Sequence, residues 1–139
     1  MNENAFSAAY AIASAADYMT VPRTGGVGSI GVICMHVDFS RALDASGLKV
    51  TFIQYGDRKA DGHAEIPLSD EALANIQGDV DAMGSLFVET VARNRSLPAT
   101  KISGMQAATY LGAPGVGLGL ADAVMAPDAA FRALRQTLA

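Results

Sequence analysis

Ser7 is the residue of this sequence whose type and position best suit covalent chemistry. It stands at the start of an alanine-rich segment that we predict to be helical. Backbone N–H groups at a helix N-terminus stabilise the negative charge that develops on oxygen during acyl transfer. The position also suits a helix cap or a packing residue, and the residues alone leave these roles open. As a nucleophile, Ser7 would need a base to accept its proton.

The candidate base is Lys59. The two histidines are weaker candidates, because His36 lies in a predicted apolar strand and His63 in a polar loop. Of the three lysines, Lys59 alone lies in a loop that follows a predicted strand end, where α/β proteins place functional groups. A lysine has an ordinary pKa near 10.4, so a base at neutral pH needs burial that lowers this pKa by about 3 units. Asp57 and Asp61 would oppose that change, and we expect their carboxylates to point away from the amine.

Other residues that could do chemistry are interpreted as structural. The glycine-rich segment 25–31 precedes a predicted strand rather than a helix and lacks the lysine of a phosphate-binding loop, so we predict a tight backbone turn. Cys34 is expected to be a small, buried apolar residue. Arg93 and Arg95 are expected to be solvated at a helix end. The sequence therefore predicts neither a metal site nor a cofactor.

The composition is that of an ordinary globular protein of about one domain. The chain has 139 residues, of which 50% are apolar and 17% are charged, and its formal net charge is −4. Disorder requires low hydrophobicity with high net charge, and nucleic-acid binding requires a basic surface, so both classes are disfavoured. No stretch approaches the roughly 18 consecutive apolar residues of a membrane span. We expect a soluble, intracellular protein without a nucleic-acid partner or a membrane span.

The elements that position the candidate residues alternate between helix and strand, which predicts the α/β class. The most distinct element is a long helix that starts after Ser69 as N-cap and carries apolar residues every three or four positions up to Val91. The other predicted helices cover residues 5–16 (largely buried), 39–45 (capped by Asp38 and ended by Gly47), 105–111 and 129–138. The predicted strands cover residues 18–21, 30–37 (buried) and 50–53.

Four segments, in order along the chain, resemble motifs of the signal peptide peptidase A (SppA) family. Residues 4–17 resemble its nucleophile helix, in which a serine is followed by two small residues, an aromatic residue and an alanine-rich stretch. Residues 28–32, Gly-Ser-Ile-Gly-Val, resemble its second motif, and residues 56–59, Gly-Asp-Arg-Lys, resemble the loop of its base lysine. Residues 119–122, Gly-Leu-Ala-Asp, resemble its late signature. The chain is most similar to the short, anchor-free members of phages and prophages, the minor capsid protein C type.

This resemblance implies a ClpP/crotonase-like fold and a serine endopeptidase with a Ser–Lys dyad. Ser7 would attack the scissile carbonyl, and Lys59 would accept its proton. Ser29 would hold the lysine amine, and the backbone N–H of Ala8 would stabilise the oxyanion. The resemblance also implies homo-oligomeric rings, in which the dyad can form between chains, and a polypeptide substrate, either a signal-peptide remnant or a phage scaffold or capsid protein. The implied location is the bacterial cytoplasm, in association with a phage procapsid.

Members of that family carry a substantial region before the nucleophile, whereas six residues precede Ser7 here. We therefore expect residues 1–139 to be one truncated SppA-like domain, the C-terminal portion of the catalytic domain, and inactivity of this chain alone is consistent with that expectation. Two alternatives stay open. One is a non-catalytic assembly or capsid component derived from such a peptidase. The other is a crotonase-type acyl-CoA enzyme, for which the sequence shows no CoA phosphate site.

Overall fold

The computed structural model describes residues 1–138, which fall into two compact units. The first unit comprises Met1–Val32 together with the described residues from Met83 onward, and the second is Ile33–Ala82. Along residues 1–138 the elements are β1 (Ala5–Phe6), α1 (Ala8–Ala13), β2 (Thr20–Val21), β3 (Gly26–Gly28), α2 (Ser40–Ala45), α3 (Asp70–Arg95), α4 (Ala99–Ser103), β4 (Thr109–Leu111), α5 (Ala113–Gly117), β5 (Ala123–Val124) and α6 (Pro127–Thr137).

The first unit contains both groups of paired strands. In its three-stranded sheet β3 is central, with β1 parallel to it on one side and β4 antiparallel to it on the other. The strands β2 and β5 form a separate parallel pair. This mixture of strands and helices confirms the predicted α/β class, whereas the expectation of one truncated domain stays a prediction.

The core of the first unit draws on helices and strands alike. Its largest fully buried apolar side chains are Tyr10, Val21, Val27, Val91, Ile102 and Leu120. Glycines in β3 let neighbouring chain segments come close: a Cβ at Gly26 would lie 2.6 Å from Cζ of Phe6, and one at Gly28 would lie 2.5 Å from the Ala108 carbonyl oxygen. The prediction of a turn at residues 25–31 is therefore wrong in part, because residues 26–28 form the central strand and need glycine for close packing.

Local sequence signals define the helix ends of the second unit. The Ser40 amide donates to Oδ1 of Asp38 at 2.8 Å where α2 begins, and Gly47 adopts a φ of +70° after α2 ends. The helix α3 begins after Ser69, whose Oγ accepts a hydrogen bond from the Ala72 amide at 3.1 Å. These contacts confirm the predicted roles of Ser69 and Gly47, whereas Asp38 bonds the first residue of α2 from one position before the N-cap residue, Phe39. Within residues 1–138, no helix is both long enough and apolar enough to cross a membrane.

Two segments that were predicted to be strands do not form them. Residues 30–37 and 50–53 contain no strand, and many of their side chains are exposed, with Ile33 at 92% and Ile53 at 99%. Cys34 is exposed as well, so the expectation that it is buried is wrong. A strand forms only where a neighbouring strand takes up its backbone hydrogen bonds. In the described part of the chain, no strand pairs with either segment.

Two predicted helices also differ from the structure. The segment 5–16 begins with β1, its helix α1 covers Ala8–Ala13, and half of the residues of α1 are exposed rather than buried. Residues 105–111 form a turn followed by β4, because β4 pairs with β3. Helix propensity is a weak local preference that such non-local pairing overrides. The predicted strand at 18–21 and the predicted helix at 129–138 are confirmed by β2 and α6.

Candidate active site

Ser7 joins β1 to α1 in a backbone conformation that is rare for residues other than glycine. Its φ is 52° and its ψ is −128°. The Ser7 amide donates to the Gly28 carbonyl at 3.0 Å, and the Ser7 carbonyl accepts from the amides of Tyr10 at 2.8 Å and Ala11 at 3.1 Å. These bonds hold a conformation that costs about 1–3 kcal/mol. Backbone strain of this kind is concentrated at functional sites.

The Ser7 side chain is available for a reaction. It is exposed, and within residues 1–138 it makes no capping hydrogen bond to α1. The next residue, Ala8, is also exposed and begins the helix, where backbone N–H groups have no acceptor inside the helix. An N–H donor therefore lies directly beside the hydroxyl, which is the arrangement that oxyanion stabilisation requires.

Ser29 lies at the same edge of the sheet as Ser7. In the parallel pair of β1 and β3, Phe6 is opposite Gly28, so each serine is the residue that directly follows its strand. Ser29 also has a positive φ, of 55°, and its amide donates to the Ala108 carbonyl at 2.9 Å. The structure thus brings Ser7, Ala8 and Ser29 together at the carboxyl ends of two parallel strands, the usual location of active sites in α/β proteins.

Lys59 belongs to the second unit, whereas Ser7 and Ser29 belong to the first. It lies in a series of turns, its amide donates to the Gly56 carbonyl at 3.1 Å, and its side chain is exposed. The neighbouring carboxylate of Asp61 lies 3.6 Å from Nε of Arg58. This contact pairs Asp61 with a guanidinium group, and the expectation that the carboxylates of Asp57 and Asp61 point away from the Lys59 amine stays a prediction.

An ion pair between Arg95 and Asp122 in the first unit was not predicted from the sequence. The guanidinium group makes a bidentate contact with the carboxylate at 2.7 and 3.1 Å, and its Nε donates to the Gly119 carbonyl at 3.1 Å. The Arg95 side chain is only 7% exposed, so the prediction of a solvated arginine is wrong for Arg95, although Arg93 is exposed. The bond from Arg95 holds the pKa of Asp122 below its usual range. The Asp122 motif was visible in the sequence, but nothing local identified its cation.

Two polar contacts attach α1 to the rest of the first unit. The Tyr10 hydroxyl is buried and donates to the Leu120 carbonyl at 2.8 Å. Burial raises the pKa of Tyr10 to about 12, so this hydroxyl stays protonated and remains a donor at neutral pH. At the end of α1, Oγ of Ser14 accepts from Nδ2 of Asn94 at 2.9 Å. Tyr10 and Ser14, which follow Ser7 by three and seven positions, are therefore each anchored by a hydrogen bond with a distant part of the chain.

Both histidines lie in the second unit, and each contacts other residues of that unit. Nε2 of His36 lies 3.2 Å from the His63 carbonyl oxygen, and Nδ1 of the exposed His63 lies 3.4 Å from Oε2 of Glu65. The His63 ring also packs edge-on against Phe52, at 4.9 Å between ring centroids. Among the residues that the structure describes, no group of three or more histidine, cysteine or acidic side chains could hold a metal ion.

Comparisons with known proteins give a consistent result. The sequence matches peptidase family S49 over residues 1–139. It is 36% identical over 121 residues to head-tail preconnector protein GP5 of Enterobacteria phage P21, covering 87% of this chain and 24% of that protein. It is 31% identical over 137 residues to capsid assembly protease C of Escherichia phage lambda, covering 99% of this chain and 31% of that protein. The chain thus spans between a quarter and a third of the length of these two relatives.

Proposed function

Because the chain belongs to peptidase family S49, we propose that it carries the Ser–Lys dyad of a serine endopeptidase of the SppA type. Ser7 is the proposed nucleophile and Lys59 the proposed general base. The observation that most directly supports the proposal is the strained, exposed Ser7 at the junction of β1 and α1. Strained backbone conformations cluster at active sites, where the surrounding structure holds them in place.

The proposed reaction forms an acyl-enzyme. Oγ of Ser7 attacks the carbonyl carbon of the scissile peptide while Nζ of Lys59 accepts the hydroxyl proton. The oxyanion of the tetrahedral intermediate accepts a hydrogen bond from the Ala8 N–H. Collapse of the intermediate breaks the C–N bond, and Lys59 passes its proton to the leaving amine. Lys59 then takes a proton from a water molecule whose oxygen attacks the ester carbonyl, and it returns that proton to Oγ of Ser7 as the C–O bond breaks and the carboxylic acid product leaves.

A lysine base must be neutral, which requires that water is removed from around its amine. Lys59 is exposed in the single chain, so we propose that a neighbouring copy of the chain or the bound substrate covers it. Self-association is supported by the exposed apolar side chains of the second unit, which include Ile33, Met35, Ile53 and Tyr55. In the assembly, the Ser29 hydroxyl is proposed to accept a hydrogen bond from the lysine ammonium and to orient it.

The finer assignment of the fold is also part of this proposal. We place the chain in a ClpP/crotonase-like domain, as the portion that carries the nucleophile and the lysine. The junction of parallel β1 and β3, with Ser7 and Ser29 at its carboxyl end, supports this placement.

The proposed substrates are phage scaffold or capsid proteins, cut within a procapsid in the bacterial cytoplasm. The support is the name of the lambda relative, a capsid assembly protease. Signal-peptide remnants, the substrates implied by the SppA resemblance, are the other class to assay. A peptide library derived from scaffold and capsid sequences, compared with one of signal-peptide sequences, distinguishes the two classes by the rate of cleavage.

Covalent labelling with a fluorophosphonate tests the dyad. The parent should gain one phosphonyl group on Ser7, read by intact-mass and peptide mass spectrometry, and Ser7→Ala should gain none. Ser96→Ala is a matched control, because Ser96 is also exposed and has a positive φ, of 52°, but follows a helix. Lys59→Ala should slow labelling strongly, whereas Lys49→Ala, at another exposed lysine of the second unit, should not. Equal labelling of the parent and Ser7→Ala would refute the assignment.

A second candidate function is that of a non-catalytic assembly or capsid component. The name of the P21 relative, a head-tail preconnector protein, favours it. This function predicts ordered self-association with no acyl-enzyme on Ser7 and no cleavage of either peptide library. Analytical ultracentrifugation beside the labelling assay separates the candidates, since only the peptidase requires both Ser7 and Lys59.

A further inference from the structure

We propose that Tyr10, Arg95 and Asp122 are positioning residues that hold the Ser7 hydroxyl in its reactive orientation. The inference rests on the proposed role of Ser7 as nucleophile. Together with Ser14 and Asn94, these side chains form a set of polar contacts between α1, the end of α3 and the segment 119–122. We call this set the clamp.

The helix α1 cannot fix its own orientation. It has six residues, fewer than the roughly 12–15 that an isolated helix needs to be even marginally stable in water. Among the described residues of α1, Tyr10 is the one that is buried. The Tyr10 hydroxyl donates to the Leu120 carbonyl at 2.8 Å, across 110 positions of the chain. The direction in which α1 leaves Ser7 therefore depends on where Leu120 is held.

Arg95 and Asp122 hold Leu120 from both sides. Arg95 bonds the carbonyl of Gly119, which precedes Leu120, and forms its bidentate contact with Asp122, which follows it by two residues. Oδ2 of Asp122 accepts from the Met19 amide at 2.6 Å, and the Asp122 amide donates to the Met19 carbonyl at 2.8 Å. The acceptor of the Tyr10 hydroxyl is thereby fixed both to α3 and to Met19, the residue that precedes β2.

The same end of α3 holds α1 a second time. Asn94, the neighbour of Arg95, donates through Nδ2 to Oγ of Ser14 at 2.9 Å. The Ser14 hydroxyl in turn donates to the Ala11 carbonyl at 2.8 Å. The two attachment points, at Tyr10 and Ser14, lie one helical turn apart and face the core, since both residues are buried. Two such contacts define the orientation of a short helix, which one contact cannot do.

The orientation of α1 matters for reactivity because Ser7 is strained. A residue in such a conformation keeps it only where the surrounding structure imposes it. A displacement of about 1 Å at a reacting atom can reduce a rate by about 10²-fold. Loss of the Tyr10 hydroxyl should therefore reduce the reactivity of Ser7 although Tyr10 does not touch the substrate.

The test compares Tyr10→Phe with two matched variants of the chain. Tyr18→Phe removes a hydroxyl from an exposed tyrosine, and Ile102→Val weakens the core of the same unit at a residue of α4 that belongs to no contact of the clamp. Fluorophosphonate labelling at increasing probe concentration separates the maximal rate from the probe concentration at half-maximal rate. For Tyr10→Phe we expect a maximal rate about tenfold lower at an unchanged half-maximal concentration. Both matched variants should label at the parent rate, even if Ile102→Val lowers the melting temperature as much as Tyr10→Phe does.

Arg95→Lys should have the same effect as Tyr10→Phe, because lysine keeps the charge but cannot form the bidentate contact. The proposal is overturned if Tyr10→Phe labels at the parent rate, or if Ile102→Val slows labelling as much at equal loss of stability. In either case labelling of Ser7 in the parent would still support the nucleophile.

Amide hydrogen exchange tests whether the clamp holds the Ser7 turn independently of labelling. The Ser7 amide, bonded to Gly28, is compared with the Gly112 amide, which donates to the Gly25 carbonyl at 2.9 Å. Tyr10→Phe should accelerate exchange at Ser7 and leave Gly112 unchanged. Equal behaviour of the two amides would show that the clamp does not hold this turn.

Discussion

Two turns of the first unit lead from a strand of the three-stranded sheet into a short helix with nearly the same backbone conformation. Ser7, between β1 and α1, has φ 52° and ψ −128°, and Gly112, between β4 and α5, has φ 51° and ψ −121°. Both amides donate to a carbonyl at or beside an end of β3, that of Gly28 for Ser7 and that of Gly25 for Gly112. The two turns are thus equivalent in geometry and occupy opposite ends of one strand.

The residues that occupy the turns differ. Gly112 is buried, and a Cβ there would lie 3.0 Å from the Arg23 carbonyl oxygen, so glycine suits both the conformation and the space. Ser7 adopts the same conformation with a side chain, at a cost of about 1–3 kcal/mol, and presents that side chain to solvent. Stability does not explain a serine at this position. A reactive hydroxyl, the role proposed for Ser7, would account for this difference.

Ser7→Gly should have the largest effect, because it makes the two turns chemically alike. We expect labelling and any peptide cleavage to fall by about 10⁴–10⁶-fold, as for loss of a serine nucleophile elsewhere. The free energy of unfolding should rise by about 1 kcal/mol, because glycine removes the strain. Urea denaturation measures the second effect independently of activity.

Ser7→Ala is the control that separates the hydroxyl from the backbone. It removes the nucleophile but keeps a Cβ in the strained conformation, so activity should be lost without a gain in stability. If Ser7→Gly and Ser7→Ala are equally stable, the turn is not strained and the contrast with Gly112 loses its meaning.

Asp122→Asn should sharpen the contrast through the clamp, which holds α1 by side-chain hydrogen bonds of Tyr10 and Ser14. The helix α5 contacts the same segment through the backbone, from the Leu120 amide to the Gly115 carbonyl at 2.9 Å. Removal of a charged hydrogen-bond partner should lower the free energy of unfolding by about 1.5–3 kcal/mol at neutral pH. The bond from Arg95 lowers the pKa of Asp122 in the folded chain, so its stabilisation is present above the ordinary aspartate pKa of about 3.9. That stabilisation is lost as the pH falls through the lowered pKa.

The difference between parent and Asp122→Asn should therefore shrink when urea denaturation is repeated at decreasing pH. Measuring the difference, rather than the parent alone, cancels the titration of the other carboxylates. A difference that stays constant down to about pH 3 would contradict the ion pair as the source of the stabilisation.

Gly112→Ala should have the smallest effect of the three. An alanine at this position must keep the positive φ, and its Cβ must fit next to the Arg23 backbone. We therefore expect a loss of about 1–2 kcal/mol in the free energy of unfolding. Gly117→Ala, in the same short helix α5, is the matched control, because a Cβ there meets nothing within 4 Å. It should be neutral or slightly stabilising, since alanine is the better helix former. Equal losses at both positions would point to α5 as a whole rather than to its turn.

An element was predicted correctly where residues close together in the sequence decide its structure, and incorrectly where pairing with a distant segment decides it. The start of α3 was predicted because its cap, Ser69, lies three residues from the amide that it bonds. The strand character of Ala5–Phe6 and of Thr109–Leu111 was missed, because it depends on pairing with β3 rather than on local composition. Both segments were predicted to be helical. The short helices α4 and α5 were not predicted, since neither carries a periodic apolar pattern.

In the candidate site, too, the features that nearby residues specify were predicted and those that distant residues specify were not. Ser7 and Ser29 could be selected from the sequence through their residue types and the motifs around them. Lys59 could be selected through its loop, although the strand predicted before that loop does not form. That Ser7 and Ser29 lie at one edge follows from the register of β1 and β3, which no short segment encodes. Arg95 was assigned to solvent because a basic residue at a helix end usually is solvated. Its carboxylate partner is 27 positions away.

The sequence by itself determined the α/β class, the long helix with its N-cap, the second-unit turn that carries Lys59 and the motifs that point to a peptidase, because each depends on residues close together along the chain. Only the tertiary structure decided that the glycine-rich segment is the central strand and that Ser7 is strained. It also decided that a buried tyrosine and an arginine–aspartate pair hold the adjoining helix. Those features depend on hydrogen bonds that join residues up to 110 positions apart. Local preferences are too weak to specify such contacts.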